Sequence, residues 1–232
     1  MPNAYPAVCF ASRRAAALTL APAPARRFLP LRLATAHQEA LSALLPILLC
    51  GEESAALAFA GFAAESGLPP QARVELEGIA EDEQRHEQQL QTLRLALPHA
   101  VGDGEVSRAA RRLFARLGRD SVGVHLARIA ALDSGACVIL GALRAHRLPL
   151  SGDAAVSAMF AQIHGDESKH VAVSRRYARS LLDRRQAHTV AAQMREQLAA
   201  LISLRGAAFE TLGVNADRLL ARLRLVPRRL FA

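Results

Sequence analysis

Apolar residues recur along most of this chain with the three-to-four-residue period of helices that bury one stripe. That period predicts a first helix from about Thr35 to Ser66, stopped by Gly67-Leu68-Pro69-Pro70, with Pro46 placed to kink it ahead of Glu53. A second runs from about Gln71 to Leu97 and ends at Pro98. The loop His99–Gly104 leads to a short helix from Glu105 to Leu117. Asp120-Ser121 offers a cap for a third long helix reaching about His146, and Ser151-Gly152-Asp153 introduces a fourth that extends to about Leu182. A fifth helical stretch is expected from about Arg185 to Leu212, halted by Gly213, followed by a short Arg-rich amphipathic tail from Asn215 to Leu225. Residues 1–34 lack the period, carry Pro22 and Pro24, and read as a loosely ordered Pro/Ala-rich arm. The expected fold class is therefore all-α: one helical domain over residues 35–232, its core at about 35–182 and extra helices within 185–225.

The stripes are interrupted in a patterned way. Asp82-Glu83-Gln84-Arg85-His86 and Asp166-Glu167-Ser168-Lys169-His170 are two copies of Asp-Glu-x-x-His, each inside a long helical stretch. Upstream of each, at comparable distance, an acid sits in an otherwise apolar helix: Glu53 in the first and Asp133 in the third. Residues three apart on a helix project from the same side, so Glu83 and His86 point one way, as do Glu167 and His170. Four helices presenting carboxylates inward, two of them adding a His, make the ligand set of a two-metal site in a helix bundle. Coordination to cations also explains how several acids can face a core, where unpaired charge is prohibitively costly. One imidazole per metal with shared carboxylates suits iron or manganese better than tetrahedral zinc. Asp82 and Asp166 are placed to accept the free N–H of the opposite helix's ligand His and so fix its tautomer.

Some positions stay open at this level. Glu52 and Glu53 are adjacent and only one can face inward; Glu53, flanked by Leu49 and Leu57, is preferred to Glu52, flanked by Leu48 and Ala56. His164, one turn before Glu167, is either a proton relay or extra ligand, or a satisfied helix histidine. Cys50 and Cys137 read as small buried groups lining the site, with Ala56, Ala60, Ala136 and Leu140 as a substrate pocket. His125 and His188 read as structural or exposed.

Composition narrows the function. At 51% hydrophobic and 4% aromatic with no Trp, the 232-residue chain must fill one core with Ala and Leu. The net charge of +8 would suggest nucleic acid, but the basic residues are scattered Arg, with Lys169 the single Lys. An Arg-for-Lys bias on solvated helix faces accounts for that more simply, so nucleic acid stays a secondary reading. Three Cys with no C-x-x-C pair suit a reducing, cytoplasmic setting. No apolar run reads as long enough to span a membrane. Ser12-Arg13-Arg14 and the weak apolar segment after it imitate a signal peptide only faintly.

With Glu53, Glu83-x-x-His86, Asp133 and Glu167-x-x-His170 in place, the chain over about residues 36–182 resembles the ferritin-like di-iron carboxylate superfamily. The likeness is greatest to the p-aminobenzoate N-oxygenase and bacterial multicomponent monooxygenase branches. It implies a four-helix bundle holding two iron ions, although ligand chemistry alone also accepts manganese or a mixed pair. It further implies dioxygen activation, a small-molecule substrate and a separate electron donor. Asp133 stands where most relatives carry Glu. Phe59 and Leu90 stand where radical-storing or rubrerythrin-like members carry Tyr, which argues against a ribonucleotide reductase subunit. The expected function is a di-iron oxidase or oxygenase acting on an organic metabolite, in a protein expected to be a homodimer. The alternatives are a ferroxidase or peroxide scavenger, a tRNA-modifying hydroxylase, and a metal-free helical interaction protein.

Overall fold

A computed structural model describes residues 31–64, 69–99, 103–225 and 230–231. Among these are eight α-helices and no strands. They are α1 (Thr35–Ala63), α2 (Pro70–Leu95), α3 (Asp103–Phe114), α4 (Val122–Leu143), α5 (Ala154–Leu181), α6 (Arg184–Ser203), α7 (Gly206–Thr211) and α8 (Ala216–Arg224). The arm up to residue 30 and the breaker's Gly67 and Leu68 lie outside the described residues.

Helix starts follow local chemistry. Pro70 opens α2 where its missing N–H costs nothing. Side chains of Ser121, Asp153, Asp183 and Asn215 accept hydrogen bonds from first-turn amides of α4, α5, α6 and α8. Asp153 does double duty: Oδ1 accepts from the amides of Ala155 and Val156 at 3.1 and 3.0 Å, while Oδ2 accepts from the backbone N–H of Arg32 at 2.8 Å. The end of the N-terminal arm is thereby tied to α5, and Leu33 is buried beside it.

The helices pair by burying their stripes. α1 lies along α2 and α4 along α5, and the two hairpins meet where α2 packs on α5. α1 and α4 do not pack closely on one another. α3 covers α1, α6 covers α4, α7 returns to α1, and α8 rests on α6 and α4. One apolar cluster runs through all of them, with Phe59, Phe160 and Phe209 essentially inaccessible. Each such side chain contributes on the order of 2 kcal/mol by leaving water.

Two expectations need correction. The stretch expected as one helix over 185–212 is two, α6 and α7, divided at Leu204–Arg205. There the amides of Leu204 and Arg205 bond three residues back, to Leu201 and Ile202, and Arg205 leaves helical torsions at φ −124°. The turn lets α6 follow α4 while α7 carries the buried Phe209 back to α1. Gly213 (φ 80°) then closes α7, its amide bonding Glu210 and that of Val214 bonding Phe209. The second correction concerns membrane-length runs. By length and composition alone, α1 and α4 are each apolar enough to cross a bilayer. This is weak evidence, because the core helix of a folded bundle passes the same test.

α6 approaches α4 closely at Gly135. A Cβ there would stand 2.3 Å from Cδ2 of Leu198 and 2.9 Å from Nη1 of Arg195. Arg195 is fully buried, and its guanidinium donates to main-chain carbonyls of Leu223 (2.6 Å), Arg222 (3.1 Å) and Leu225 (3.3 Å) at the end of α8. It also reaches Ser134 Oγ on α4 at 3.4 Å. Free carbonyls at a helix C-terminus carry partial negative charge, so a buried cation is satisfied there by the last turn of α8.

Candidate metal centre

The four long helices converge on a group of buried acids and imidazoles. Ligand atoms of Glu52 on α1, Glu83 and His86 on α2, and Glu167 on α5 all lie within 4.8 Å of one another. Nδ1 of His86 is 3.3 Å from Oε2 of Glu52 and 3.8 Å from carboxylate oxygens of both Glu83 and Glu167. Nδ1 of His170 is 3.0 Å from Oε1 of Glu83 and 3.9 Å from Oε1 of Glu167. Glu83 and Glu167 therefore lie between the two rings, whose centroids are 5.9 Å apart.

The outer ring nitrogens are held in a reciprocal arrangement. Nε2 of His86 on α2 meets Oδ2 of Asp166 on α5 at 3.3 Å. Nε2 of His170 on α5 meets Oδ2 of Asp82 on α2, also at 3.3 Å. A carboxylate at Nε2 anchors that nitrogen and turns Nδ1 toward the acids, where a bound cation would take the place of its proton. Burial opposes charge on Asp166, but its contacts with Lys169 and His86 outweigh that and lower its pKa. Lys169 donates to Asp166 at 2.8 Å, and Arg85 pairs with Asp82 while lying 3.5 Å from Asp166.

Electrostatics show how ill-suited this interior is to free carboxylates. Burial raises the pKa of Glu52 well above the usual range, and the neighbouring charge of Glu83 raises it further. Burial does the same for Asp133, with Glu83 and Glu52 adding, and for Glu167, with Glu83, Asp133 and Glu52 adding. Burial would also raise Glu83, but the neighbouring His170, His86 and Glu52 side chains outweigh it and bring the pKa down to about 2. Burial likewise opposes charge on His86, yet Glu52 and Glu83 lift it to about 10. Without a cation, then, one carboxylate is ionised against an imidazolium and three are pushed toward neutrality. Several buried atoms still lack a hydrogen-bond partner of acceptable geometry, among them Oε1 of Glu83, Nδ1 of His170 and Oδ2 of Asp133. Each such group costs about 1–3 kcal/mol. Orphaned donor atoms converging on a carboxylate and imidazole set fit hard to borderline divalent cations.

The acid contributed by α1 is Glu52; Glu53 does not reach the cluster. Glu53 instead lines a separate polar crevice with Cys50, Glu87, Gln91, Arg94 and Arg111. One residue is a rotation of about 100° around a helix, enough to move a side chain from one face to the other. The signal lay one heptad away. Seven residues either side of Glu52 stand Leu45 and Phe59, both fully buried, whereas Glu53 has Pro46 and the half-buried Ala60. The same rotation moves the pocket wall, which uses Ala55 and Ala58 of α1 in place of Ala56 and Ala60, and keeps Ala136 but not Leu140.

Asp133 is buried at the edge of the group, close enough to feel Glu83 and Glu52, and shares a cleft with them. His164 does not join the group; its Nε2 lies 3.7 Å from where a Cβ on Gly141 would stand, across α4. Cys50 lines the polar crevice, where burial and then the charge of Glu53 push its thiol up to about 12. Cys137 contacts Ser168 Oγ at 3.6 Å. The ring of Phe59 lies tilted beside His170, centroids 6.2 Å apart, and Tyr177 turns away to donate to Glu75 at 2.7 Å. His125 packs edge-on against Phe62, with ring centroids 4.9 Å apart.

No protein-family model matches this chain, and no curated protein is similar enough to it to count as a relative.

Proposed function

We propose that this protein is a di-iron oxidase or oxygenase of the ferritin-like kind, using dioxygen to oxidise an organic metabolite. The observation that carries the reading is the reciprocal pairing of His86 with Asp166 and His170 with Asp82, with both Nδ1 atoms turned toward shared carboxylates. A merely structural buried histidine needs one partner; each of these is anchored at its outer nitrogen and presents its inner one to shared acids, the orientation of a metal ligand. Glu52 and His86 would serve one iron, His170 and Asp133 the other. Glu83 and Glu167 lie near both rings and are the candidates to bridge. Two iron ions bound there would supply electrons to dioxygen, and a separate donor would replace them.

The chain's own residues have three tasks. Asp82 and Asp166 hold the imidazole orientations, and Arg85 and Lys169 pair with them at the surface. Burial of the acids among Leu, Ile and Ala side chains lowers the local polarity, which strengthens the polar contacts inside. The partly open cleft between α1 and α4 is lined by Glu52, Asp133, Glu83 and Glu167 and would give a substrate access to them. That cleft favours an organic substrate over a ferroxidase role, which needs only a path for an ion.

The test is metal content of protein expressed in iron- and manganese-replete medium, beside Glu83→Ala/His170→Ala. Bound metal that is lost in the variant, with reductant-dependent oxygen consumption by the iron form, is expected. Absence of bound metal in both, even after anaerobic Fe(II) addition, would overturn the reading.

A further inference from the structure

The cleft between α1 and α4 encloses about 650 Å³ of space, part of it open to solvent. Small side chains make that room: Ala55 on α1 and Ala136 on α4 stand on opposite walls. Phe114 at the end of α3, Leu117 just after it and Leu198 of α6 also line it. The polar groups on its wall are the carboxylates of Glu52, Glu83, Asp133 and Glu167 and the hydroxyl of Ser54. No Lys, Arg or His is among the described lining residues.

We infer that the substrate is a neutral, predominantly apolar organic molecule, lying between Ala55 and Ala136 with its reacting end against the carboxylate group. The assignment of a reacting end rests on the di-iron reading; the binding preference does not. Charge bookkeeping carries the preference. Two divalent ions are balanced by the four carboxylates on the cleft wall, so the loaded site offers no net positive charge to an anion. The metal-free site offers an anion no basic side chain on the cleft wall either. A carboxylate, phosphate or sulfate drawn into an aliphatic cleft would lose its hydration with no basic side chain to replace it. An ammonium drawn along the aliphatic wall meets the same desolvation cost. A neutral chain gains by leaving water at roughly 25 cal/mol per Å² of apolar surface buried. The neighbouring helices need not open for this, because α1 and α4 already stand apart.

Isothermal titration calorimetry with decan-1-ol, decanoate and decylammonium tests it on metal-free and Mn(II)-loaded protein. Decan-1-ol should bind both forms, and decanoate at least about tenfold more weakly than decan-1-ol in both. Decylammonium, whose charge the aliphatic wall cannot solvate, should also bind both forms at least about tenfold more weakly than decan-1-ol. Ala55→Phe and Ala136→Phe should each abolish decan-1-ol binding while circular dichroism and Mn(II) content stay at the wild-type level. Decanoate binding as tightly as decan-1-ol would overturn the inference, and that comparison needs no variant. So would decan-1-ol binding that survives both substitutions. Metal content in the same samples separates the two ideas. Decan-1-ol binding without any metal binding refutes the di-iron reading and leaves the apolar site standing; metal binding without decan-1-ol binding refutes the apolar site alone.

Discussion

Asp166→Asn keeps the size of the side chain beside His86 and removes its charge. The carboxylate accepts from Nε2 at 3.3 Å in a buried position, so Asn substitutes a weaker acceptor, or turns its amide nitrogen toward the ring and favours the wrong tautomer. Loss of the group that orients a ligand histidine lowers metal affinity by about 10–100-fold. That range corresponds to about 1.4–2.7 kcal/mol. Burial decides where in the range each position falls. The Asp166 side chain is 11% exposed and that of Asp82 is 29% exposed, so solvent screens the His170 pair more than the His86 pair. Asp166→Asn should therefore sit toward 100-fold and Asp82→Asn nearer 10-fold. Lys169 is mostly exposed, and its ion pair with Asp166 is worth little. Lys169→Ala should change affinity by no more than about threefold and controls for general surface effects. The assay is an anaerobic competition titration of Fe(II), repeated with Mn(II), against a chromophoric chelator. Wild-type affinity in Asp166→Asn would refute the orienting role, and a larger loss in Asp82→Asn than in Asp166→Asn would refute the burial argument.

Glu52→Gln should lower the metal content per chain, measured by atomic emission, whereas Glu53→Gln should leave it at the wild-type level; the opposite result would reverse the assignment of the α1 ligand. Gly135→Ala puts a methyl 2.3 Å from Leu198 Cδ2 and should cost about 1–3 kcal/mol, read as a lower urea midpoint at unchanged slope. Burial, and then the charge of Arg128, depress the pKa of His125 from 6.5 to about 4. The unfolded chain therefore binds the proton first as pH falls, and stability present above 6.5 is lost progressively down to about 4. His125→Phe removes that titration while keeping a ring against Phe62. The wild-type protein should lose about 3 kcal/mol relative to this variant across the interval, seen as a pH-dependent gap between their urea midpoints.

What the sequence could and could not convey follows from the range of each interaction. Ser121, Asp153 and Asn215 mark helix starts because a cap acts on amides two or three residues away, within reach of any local reading. Glu83 with His86 and Glu167 with His170 are legible for the same reason, since a spacing of three places both side chains on one side of one helix whatever it packs on. The reciprocal role of Asp82 and Asp166 is legible too, because the duplicated motif requires the two helices to present the same face to each other. Rotation of α1 is a different kind of quantity. Which of Glu52 and Glu53 turns inward depends on how Leu45 and Phe59 seat against α2 and α5, a contact between distant parts of the chain. Adjacent leucines at 48 and 49 make the local pattern nearly indifferent between the two. The division of α6 from α7 is non-local in the same way. Residues 201–212 have no proline, and the turn at Leu204–Arg205 exists because α6 follows α4 while Phe209 is buried on the way back to α1. The cleft belongs to this class as well. Neither α1 nor α4 encodes a gap alone; it arises because α2 and α5 bring the hairpins together on one side while α3 and α6 cover the outer faces. The chemistry of the centre is thus written in short-range spacing, and the access to it in how far apart two apolar helices are held.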